Sequence, residues 1–349
     1  MKNKEIIKQV VGVDIGMESF YVCYKIQYAD ESLVIKGTKS FTNDASGMID
    51  FFTWTERRNK SPEISIIFVM EATGVYYEEL AYFLHSKKLK VSVQLAQKIK
   101  YFAKSCNLKT KNDKVDSKMI AEFGMEKNLT RTDFWTPPSK NFKMIRDLSR
   151  EHTSLKQSIV GIKSQLHALN FAHETNKEVV KMKKQQIAFY EKQIISVEKA
   201  MRKLVKADSK LSDKIDKIET IKGLAFVSII KVISEANGFL LFNNIRQLVS
   251  YAGLDIIEKE SGKFTGRTKI SKKGNAQIRA ALYMPAMSAM QYNKTLKTFY
   301  DRVNQGRTIK KQGVIAVMRK LLILIYTLWK KDEEYIEDYQ QKITERKAA

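Results

Sequence analysis

The chain has 349 residues, of which 62 are Lys or Arg and 38 are Asp or Glu, so its formal net charge is +24. Its hydrophobic fraction of 44% is typical of a globular protein and excludes a disordered tail. A charge of this size attracts polyanions, which makes nucleic acid the expected partner. The two Cys and four scattered His residues exclude both a disulfide framework and a Cys/His zinc site.

Signals for export or membrane insertion are weak in this sequence. The longest apolar run, residues 321–329, is far shorter than the roughly 20 residues that a membrane-spanning helix needs. Asp14 interrupts the short apolar stretch that follows the basic N-terminus, so no signal peptide is expected. We therefore predict a cytoplasmic protein with no membrane partner.

The N-terminal third alternates segments typical of strands and helices. Strands are predicted at residues 10–14 and 20–26, with Gly16 turning between them. Residues 64–70 form a continuous apolar, β-branched run, as expected of a buried central strand. A helix over 75–87 and a short strand over 91–95 follow. This alternation predicts an α/β domain.

Four acidic residues occupy positions that suit a metal site. Asp14 ends the first strand, Glu71 follows the buried strand, and Asp113 and Asp116 are spaced to share one face of a helix. Hard cations such as Mg²⁺ take oxygen ligands, and a pair of them holds the attacking and leaving oxygens of a phosphodiester. The alternative is that each acid caps a helix or pairs with a lysine.

The motif around Asp14 by itself fits another class of protein. Sugar kinases and actin-like ATPases also open with a strand that ends in Asp-x-Gly. They carry further Gly-rich phosphate loops later in the chain, which this sequence lacks, and the basic charge disfavours a kinase of small metabolites.

The middle of the chain is a predicted pair of long helices that follows a linker at Pro137-Pro138. Apolar residues recur at spacings of three and four residues on both sides of a polar break at residues 173–177, and His152 occupies one position of the same series. The seam positions are Ile145, Leu148, His152, Leu155, Ile159, Ile162, Leu166 and Leu169, then Ile187, Tyr190, Ile194, Val197, Met201 and Leu204. The pattern indicates an antiparallel hairpin or an intermolecular coiled coil, with simple core packing as the alternative to an oligomer contact.

The C-terminal region is predicted to be mainly helical and basic. The segment 218–224 resembles a helix-hairpin-helix turn, in which Gly223 either exposes backbone amides to a phosphate or ends a helix. Ser261 lies in a Gly-flanked loop, as a nucleophile or as a turn residue, and Ser271 is a candidate helix N-cap. The basic residues around these serines are Lys259, Lys263, Arg267, Lys269, Lys272, Lys273 and Arg279.

Nearly the whole chain resembles one protein family, the DEDD-type transposases of bridge-RNA-guided insertion sequences, which are related to a pilin-gene invertase. Asp14, Glu71, Asp113 and Asp116 match the family's acidic positions. Gly253-Leu254, Ser261-Gly262 and the Ile-Ser-Lys-x-Gly segment of residues 270–279 match its C-terminal motif. Ile256 stands where relatives carry Pro, and Ser117 where Ala is common.

The resemblance implies three parts. These are a RuvC/RNase H-like α/β domain over residues 1–136, a long helical coiled-coil insertion over 137–212, and a mainly α C-terminal transposase domain over 213–349. It also implies that Ser261 attacks DNA and forms a phosphoserine link. The acidic quartet would assist at the same phosphate with Mg²⁺ or Mn²⁺.

The expected partners are donor and target DNA, a noncoding guide RNA and further copies of the chain, as a dimer or tetramer. Nucleic-acid contacts are predicted at Lys263, Arg267, Lys269, Lys272, Lys273 and Arg279, and also at Lys109 and Lys111. Two alternatives to an RNA-guided recombinase stay open. One is a junction-resolving nuclease or protein-only invertase, and the other is an architectural nucleic-acid-binding protein.

Overall fold

The computed structural model describes residues 5–107, 112–130, 133–240, 242–258, 260–262, 264–266 and 268–337. The chain divides into two compact units, Met1–Pro137 and Pro138–Ala349. The first unit is built around one five-stranded sheet, and the second is mainly helical.

The sheet of the first unit has the strand order β3-β2-β1-β4-β5, in which β1, β4 and β5 are parallel and β2 is antiparallel to both of its neighbours. The strands are β1 Ile6–Ile15, β2 Ser19–Tyr28, β3 Leu33–Thr42, β4 Ile66–Glu71 and β5 Lys90–Gln94. This mixed sheet is consistent with the predicted RuvC-like domain.

Helices cover both faces of this sheet, because side chains along each strand point alternately to its two sides. They are α1 Ala45–Glu56, α2 Glu78–Ser86, α3 Ala96–Ser105 and α4 Asp113–Glu126. Val11 and Val13 pack with residues of α1 and α2 on one face. Val10 and Val69 pack with α3 and α4 on the other. Asp14 is an even number of residues from Val10, and Glu71 from Val69, so both acids lie on the face that α3 and α4 cover.

The strand β3 and the helix α1 were not predicted from the sequence. Most side chains of β3 are exposed or half-buried, as is usual at the edge of a sheet, so its hydrophobic pattern is weak. The helix α2 also begins at Glu78 and not at the predicted residue 75.

Small residues seat α4 directly on the sheet. A Cβ atom on Gly12 of β1 would lie 2.2 Å from the backbone N of Ala121 and 2.4 Å from the carbonyl O of Ser117. A Cβ on Gly124 would lie 2.6 Å from a Val10 methyl carbon. Such contacts leave no room for a larger residue, so the α4 axis runs unusually close to β1.

We expect Gly12→Ala to displace α4 and to destabilise the protein by about 1–3 kcal/mol, because the new methyl group meets backbone rather than a movable side chain. The free energy of unfolding in urea measures this effect. Gly161→Ala is the control, because a Cβ at that exposed helical position contacts nothing within 4 Å. An unchanged unfolding midpoint for Gly12→Ala would contradict this account of the helix seat.

The second unit packs helices around one apolar core. The helices are α5 Lys140–Phe171, α6 Lys177–Lys206, α7 Ser209–Glu219, α8 Phe226–Glu235, α9 Ile245–Tyr251, α10 Ala276–Tyr292, α11 Lys294–Asn304 and α12 Lys311–Lys331. Four two-residue strands form two ribbons, β6 Ile256–Ile257 with β9 Lys269–Ile270, and β7 Glu260–Ser261 with β8 Phe264–Thr265.

The helices α5 and α6 run back along each other as a hairpin. Ile145 near the start of α5 shares the core with Met201 and Val205 near the end of α6, and His152 lies 2.9 Å from the Glu198 carboxylate. Towards the tip, Leu166, Leu169 and Ile187 are only half-buried, so the predicted seam is covered at the base of the hairpin only. An intermolecular coiled coil stays a prediction.

The helix α12 contains the apolar run that was judged too short to span a membrane. The whole helix has 21 residues, and the mean hydropathy of its most apolar 18-residue window is 1.4. By length and composition alone, it is therefore long and apolar enough to span a membrane. Half of that window is buried inside the second unit, where Leu321, Leu322 and Ile325 belong to the core. This helix therefore packs into the core of the second unit.

Candidate functional site

The four predicted acids line one cavity in the first unit. The cavity has a volume of about 980 Å³, and Asp14, Glu71, Asp113 and Asp116 all contribute to its wall. They come from three separate elements of the chain, namely the ends of two strands and the start of one helix. The tertiary fold thus brings together what the sequence separates by up to about a hundred residues.

Strand pairing accounts for the first two acids. The strands β1 and β4 are parallel, and their register reaches the pair Val13 and Met70. One step further along both strands, Asp14 and Glu71 are neighbours on adjacent strands, which lie about 4.8 Å apart. Because Asp14 follows Gly12 by two residues, it points to the face of the sheet that α4 covers. Both acids are half-buried.

The seat of α4 accounts for the other two acids. Asp14 lies about 6.6 Å along the strand beyond Gly12. The helix crosses Gly12 near residues 117–121 and rises about 1.5 Å per residue, so its first turn is level with Asp14. The Asn112 side chain begins the helix there by accepting a hydrogen bond of 2.9 Å from the Val115 amide. Asp113 and Asp116 therefore face the strand ends.

The side chains that line the cavity are of the types that bind a metal ion, but they are not arranged as a metal-binding cluster. Among the described residues, carboxylates line the cavity and neither His nor Cys does, which fits a hard cation such as Mg²⁺ or Mn²⁺. Within the described part of the chain, however, no group of three or more His, Cys, Asp or Glu side chains is arranged to hold a metal ion. The alternative reading also has support, since acids in the first turn of a helix stabilise its N-terminus.

Several further residues line the cavity that the sequence did not single out as site residues. Glu18 lies in the turn between β1 and β2, and Tyr21 lies on β2. Lys100 and Lys104, one turn apart on α3, line the same cavity as the acids. They belong to the segment 87–118, which holds ten lysines, so composition alone does not distinguish them from the neighbouring lysines.

Ser261 lies on a short ribbon in the second unit. It is the last residue of β7, pairs with Phe264 of β8 and is exposed. Gly262 follows with a φ of 56°, the left-handed conformation that favours glycine in a tight turn. Among the described residues, no hydrogen bond joins the Ser261 hydroxyl to another side chain. The ribbon thus presents the hydroxyl to solvent.

The residues at the base of this ribbon correct one prediction. Ser271 is not a helix N-cap. Its hydroxyl donates a hydrogen bond to the Asp255 carboxylate, and the N-cap of α10 is Asn275. The side-chain oxygen Oδ1 of Asn275 accepts hydrogen bonds from the backbone amides of Gln277 at 2.9 Å and Ile278 at 3.2 Å. Asn caps as well as Ser does, and here the last turn of the loop places Asn275 at the helix start.

The turn at Gly223 connects α7 and α8 and faces protein. Gly223 has a φ of 92°, and a Cβ there would lie 2.6 Å from the backbone N of Ala289 in α10. Ile221 and Leu224 on either side are buried. A packing role accounts for this glycine, and contact with a phosphate stays a prediction.

The predicted nucleic-acid contacts differ in their placement. Lys269, Lys272 and Lys273 are exposed around the ribbon and its base. Arg279 is half-buried and donates to the carbonyl oxygens of Ala252 at 2.9 Å and Gly274 at 3.3 Å, so it also holds the loop in place. Four other predicted contacts, Lys109, Lys111, Lys263 and Arg267, lie outside the described residues.

Known protein families match both units. A DEDD transposase model of the IS110 family matches residues 11–170, which include all four acids. A second model, described as the transposase IS116/IS110/IS902 family, matches residues 215–301, which include Ser261. The two models follow the same order along the chain as the two units.

Individual relatives extend the similarity over nearly the full length. The chain is 26% identical to the pilin gene-inverting protein of Moraxella lacunata over 331 residues, which are 94% of this chain and 98% of that protein. The pilin gene-inverting protein of Moraxella bovis is 25% identical over 331 residues, with the same shares of both chains. The transposase for insertion sequence element IS1111A of Coxiella burnetii is 25% identical over 139 residues, 38% of this chain and 37% of that protein. The chain is therefore similar to IS110-family transposases in both units, and it is similar over nearly its full length to the pilin gene-inverting proteins.

Proposed function

We propose that this chain is a DNA transposase or site-specific recombinase that breaks and rejoins DNA through a covalent link to Ser261, with a metal-dependent site formed by Asp14, Glu71, Asp113 and Asp116. Its homology to insertion-sequence transposases and DNA-inverting proteins supports a DNA-cutting enzyme. The observation that carries the proposal is the convergence of four acids from three elements on one cavity.

The acidic cavity supplies half of the chemistry. The four carboxylates would hold Mg²⁺ or Mn²⁺, which when bound provides Lewis-acid stabilisation of the charge that develops on a phosphate. Asp14 and Glu71 are fixed by the sheet, and the two helix acids by the close seat of α4. Rigid elements of this kind hold a site better than loops do.

Ser261 supplies the other half. Its Oγ forms a bond to the phosphorus while the bond from phosphorus to one deoxyribose oxygen breaks, and the serine proton leaves to a base as the sugar oxygen takes up a proton. Attack by a sugar hydroxyl of the recombination partner then forms a new phosphodiester and releases the serine. The exposed position of Ser261 suits attack on a polymer that cannot enter a closed pocket.

The lysines of α3 suit a role in placing the DNA. A cavity lined by acids repels a phosphodiester, and cations on another wall offset that repulsion. Lys100 and Lys104 line the cavity from α3, and both are exposed. We assign them to the phosphate oxygens next to the scissile bond.

The double variant Lys100→Gln/Lys104→Gln is expected to lower the rate of DNA cleavage at saturating DNA about 10- to 100-fold, because two donors to the phosphate are lost. Single-turnover kinetics measures this rate. Lys98→Gln is the matched control on the same helix, since Lys98 does not line the cavity and contacts Gln94 instead. An equal loss in Lys98→Gln would show that the helix contributes only general positive charge.

The remaining partners follow from the family and from the charge. We propose that the chain acts on donor and target DNA in the cytoplasm, as a dimer or tetramer, and that a noncoding RNA guides the choice of sites. The net charge of +24 supports binding to nucleic acid in general. Exposed apolar side chains on the α5–α6 hairpin, such as Phe171 at its tip and Phe189 near the middle of α6, support contact with another copy.

The test starts from the chain expressed together with its native flanking DNA. RNA that co-purifies with the protein is sequenced, and DNA is examined for covalent attachment after denaturation. One discrete RNA that maps beside the gene, together with a DNA adduct, is the expected result. Free DNA ends without an adduct would indicate a junction-resolving nuclease.

One observation favours a second candidate. The pilin gene-inverting proteins match this chain over nearly their full length. A DNA invertase that needs no RNA would have the same two units and the same serine chemistry. Recombination by protein that carries only random cellular RNA, or none, would support this candidate.

A further inference from the structure

A buried carboxylate joins three helices of the second unit. The Glu235 side chain, at the end of α8, is only 2% exposed, and it pairs with Arg150 of α5. The pair has two hydrogen bonds, from Arg150 Nε to Oε1 at 2.7 Å and from Arg150 Nη2 to Oε2 at 3.0 Å. Burial raises the pKa of Glu235, but the bonds from Arg150 and Asn275 outweigh it, so the net pKa is lowered and the group stays charged.

The same carboxylate reaches the start of α10. Asn275 Nδ2 donates to Glu235 Oε2 at 2.8 Å, while the other side-chain atom of Asn275 caps the helix. The backbone amide of Asn275 donates to the Tyr251 carbonyl at 2.7 Å, and the Tyr251 hydroxyl donates to the Glu235 carbonyl at 3.2 Å. Both polar ends of the Asn275 side chain are therefore engaged, which fixes its orientation.

A ladder of hydrogen bonds leads from Asn275 to the β6–β9 pair, at the base of the loop that carries Ser261. Lys272 N donates to the Gly253 carbonyl at 3.1 Å, and Ser271 N donates to the Asp255 carbonyl at 2.9 Å. The Ser271 hydroxyl adds a bond to the Asp255 carboxylate. The next residues outward are the paired strands β6 and β9, beyond which β7 and β8 carry Ser261. The β6–β9 pair, from which the Ser261 ribbon extends, is thus anchored next to Asn275.

Stability alone does not require an ion pair here. The core of this unit is large, and well-packed apolar residues are often as stable as an ion pair whose carboxylate, like that of Glu235, is buried. A two-point contact between planar groups does, however, fix direction as well as distance. This pair fixes the end of α8 and the start of α10 relative to the helical hairpin.

We propose that Glu235, held by Arg150 and acting through Asn275, is a positioning residue that sets the orientation of the Ser261 ribbon relative to the α5–α6 hairpin. Its importance for DNA attack rests on the function proposed above for Ser261. The orientation itself is a property of the protein without DNA.

The key variant is Asn275→Asp. Asp caps a helix as well as Asn does, so α10 keeps its start, but a second carboxylate now faces Glu235 in place of an amide donor. Arg150→Lys tests the other end of the network, because Lys keeps the positive charge beside Glu235 but cannot make the two-point contact. Asn176→Asp, at the N-cap of α6, makes the same chemical change at an exposed cap that bonds only backbone amides.

The readout is the distance between two nitroxide labels in the full chain, one at Ser154→Cys on α5 and one at Thr265→Cys on the ribbon, both exposed sites. Cys106 is replaced by Ser because it is exposed, whereas Cys23 is buried. We expect Asn275→Asp to broaden the distance distribution at least twofold. We expect Arg150→Lys to broaden it in the same direction and Asn176→Asp to leave it unchanged.

Formation of the DNA adduct is measured on the same proteins. The expected result is a loss of at least tenfold in the adduct rate for Asn275→Asp and a loss in the same direction for Arg150→Lys. DNA affinity should stay within twofold. An unchanged distance distribution in Asn275→Asp overturns the proposal, as does an unchanged distribution in Arg150→Lys. Broadening in both variants without an adduct in any protein, the parent included, would support the positioning role while refuting the chemistry proposed for Ser261.

Discussion

Asp14→Asn is expected to reduce DNA cleavage about a thousandfold, equivalent to about 4 kcal/mol in the activation barrier. Asp14 lies at the centre of the proposed site. It is next to Glu71 on the adjacent strand, and it lies at the same height along the sheet as the first turn of α4. The amide keeps the shape of the side chain but removes the negative charge that attracts a divalent cation. The loss should therefore appear in the rate and not in the fold.

Two measurements distinguish loss of the metal ligand in Asp14→Asn from a general loss of function. Binding of Mn²⁺ to the protein without DNA, followed by electron paramagnetic resonance, is expected to weaken at least about tenfold in Asp14→Asn. Asp50→Asn, an exposed acid on α1, serves as the control and should change neither binding nor cleavage. Cleavage by the parent protein that persists in excess EDTA would contradict a metal-dependent site.

Ser261→Ala is expected to abolish the covalent link between protein and DNA, because no other atom of that residue can attack phosphorus. The side chain is exposed and makes no hydrogen bond to another side chain within the described residues, so its removal costs little stability. DNA binding and any co-purifying RNA should be retained. The measurement is a denaturing gel of labelled DNA, in which an adduct migrates with the protein.

The control for Ser261→Ala uses another hydroxyl on the same ribbon. Thr265 lies on β8 opposite Glu260 and is also exposed, so Thr265→Ala tests whether the ribbon tolerates loss of a hydroxyl. We expect this variant to form the adduct at the parent rate. Adduct formation by Ser261→Ala would reassign the nucleophile. Cleavage to free ends without an adduct in either protein would indicate the nuclease.

The regular elements near the acids were predictable because their signals are local. A continuous apolar, β-branched run identified the central strand β4, and the acids at strand ends followed directly from where such runs stop. The spacing of Asp113 and Asp116 gave their common helical face. By contrast β3, an edge strand with few buried side chains, carries little pattern, and it was missed together with α1.

The sequence by itself determined the charge of the protein, the order of its motifs and the position of each acid at the end of a strand or the start of a helix. Only the tertiary structure decided that Gly12 lets α4 approach the sheet, that Lys100 and Lys104 share the acidic cavity, and that Glu235 meets Arg150. The physical reason is the distance along the sequence over which each kind of interaction acts. Periodicity, capping and turn propensity act over a few residues, whereas the Arg150–Glu235 pair joins positions 85 residues apart, which only packing of the whole unit brings together.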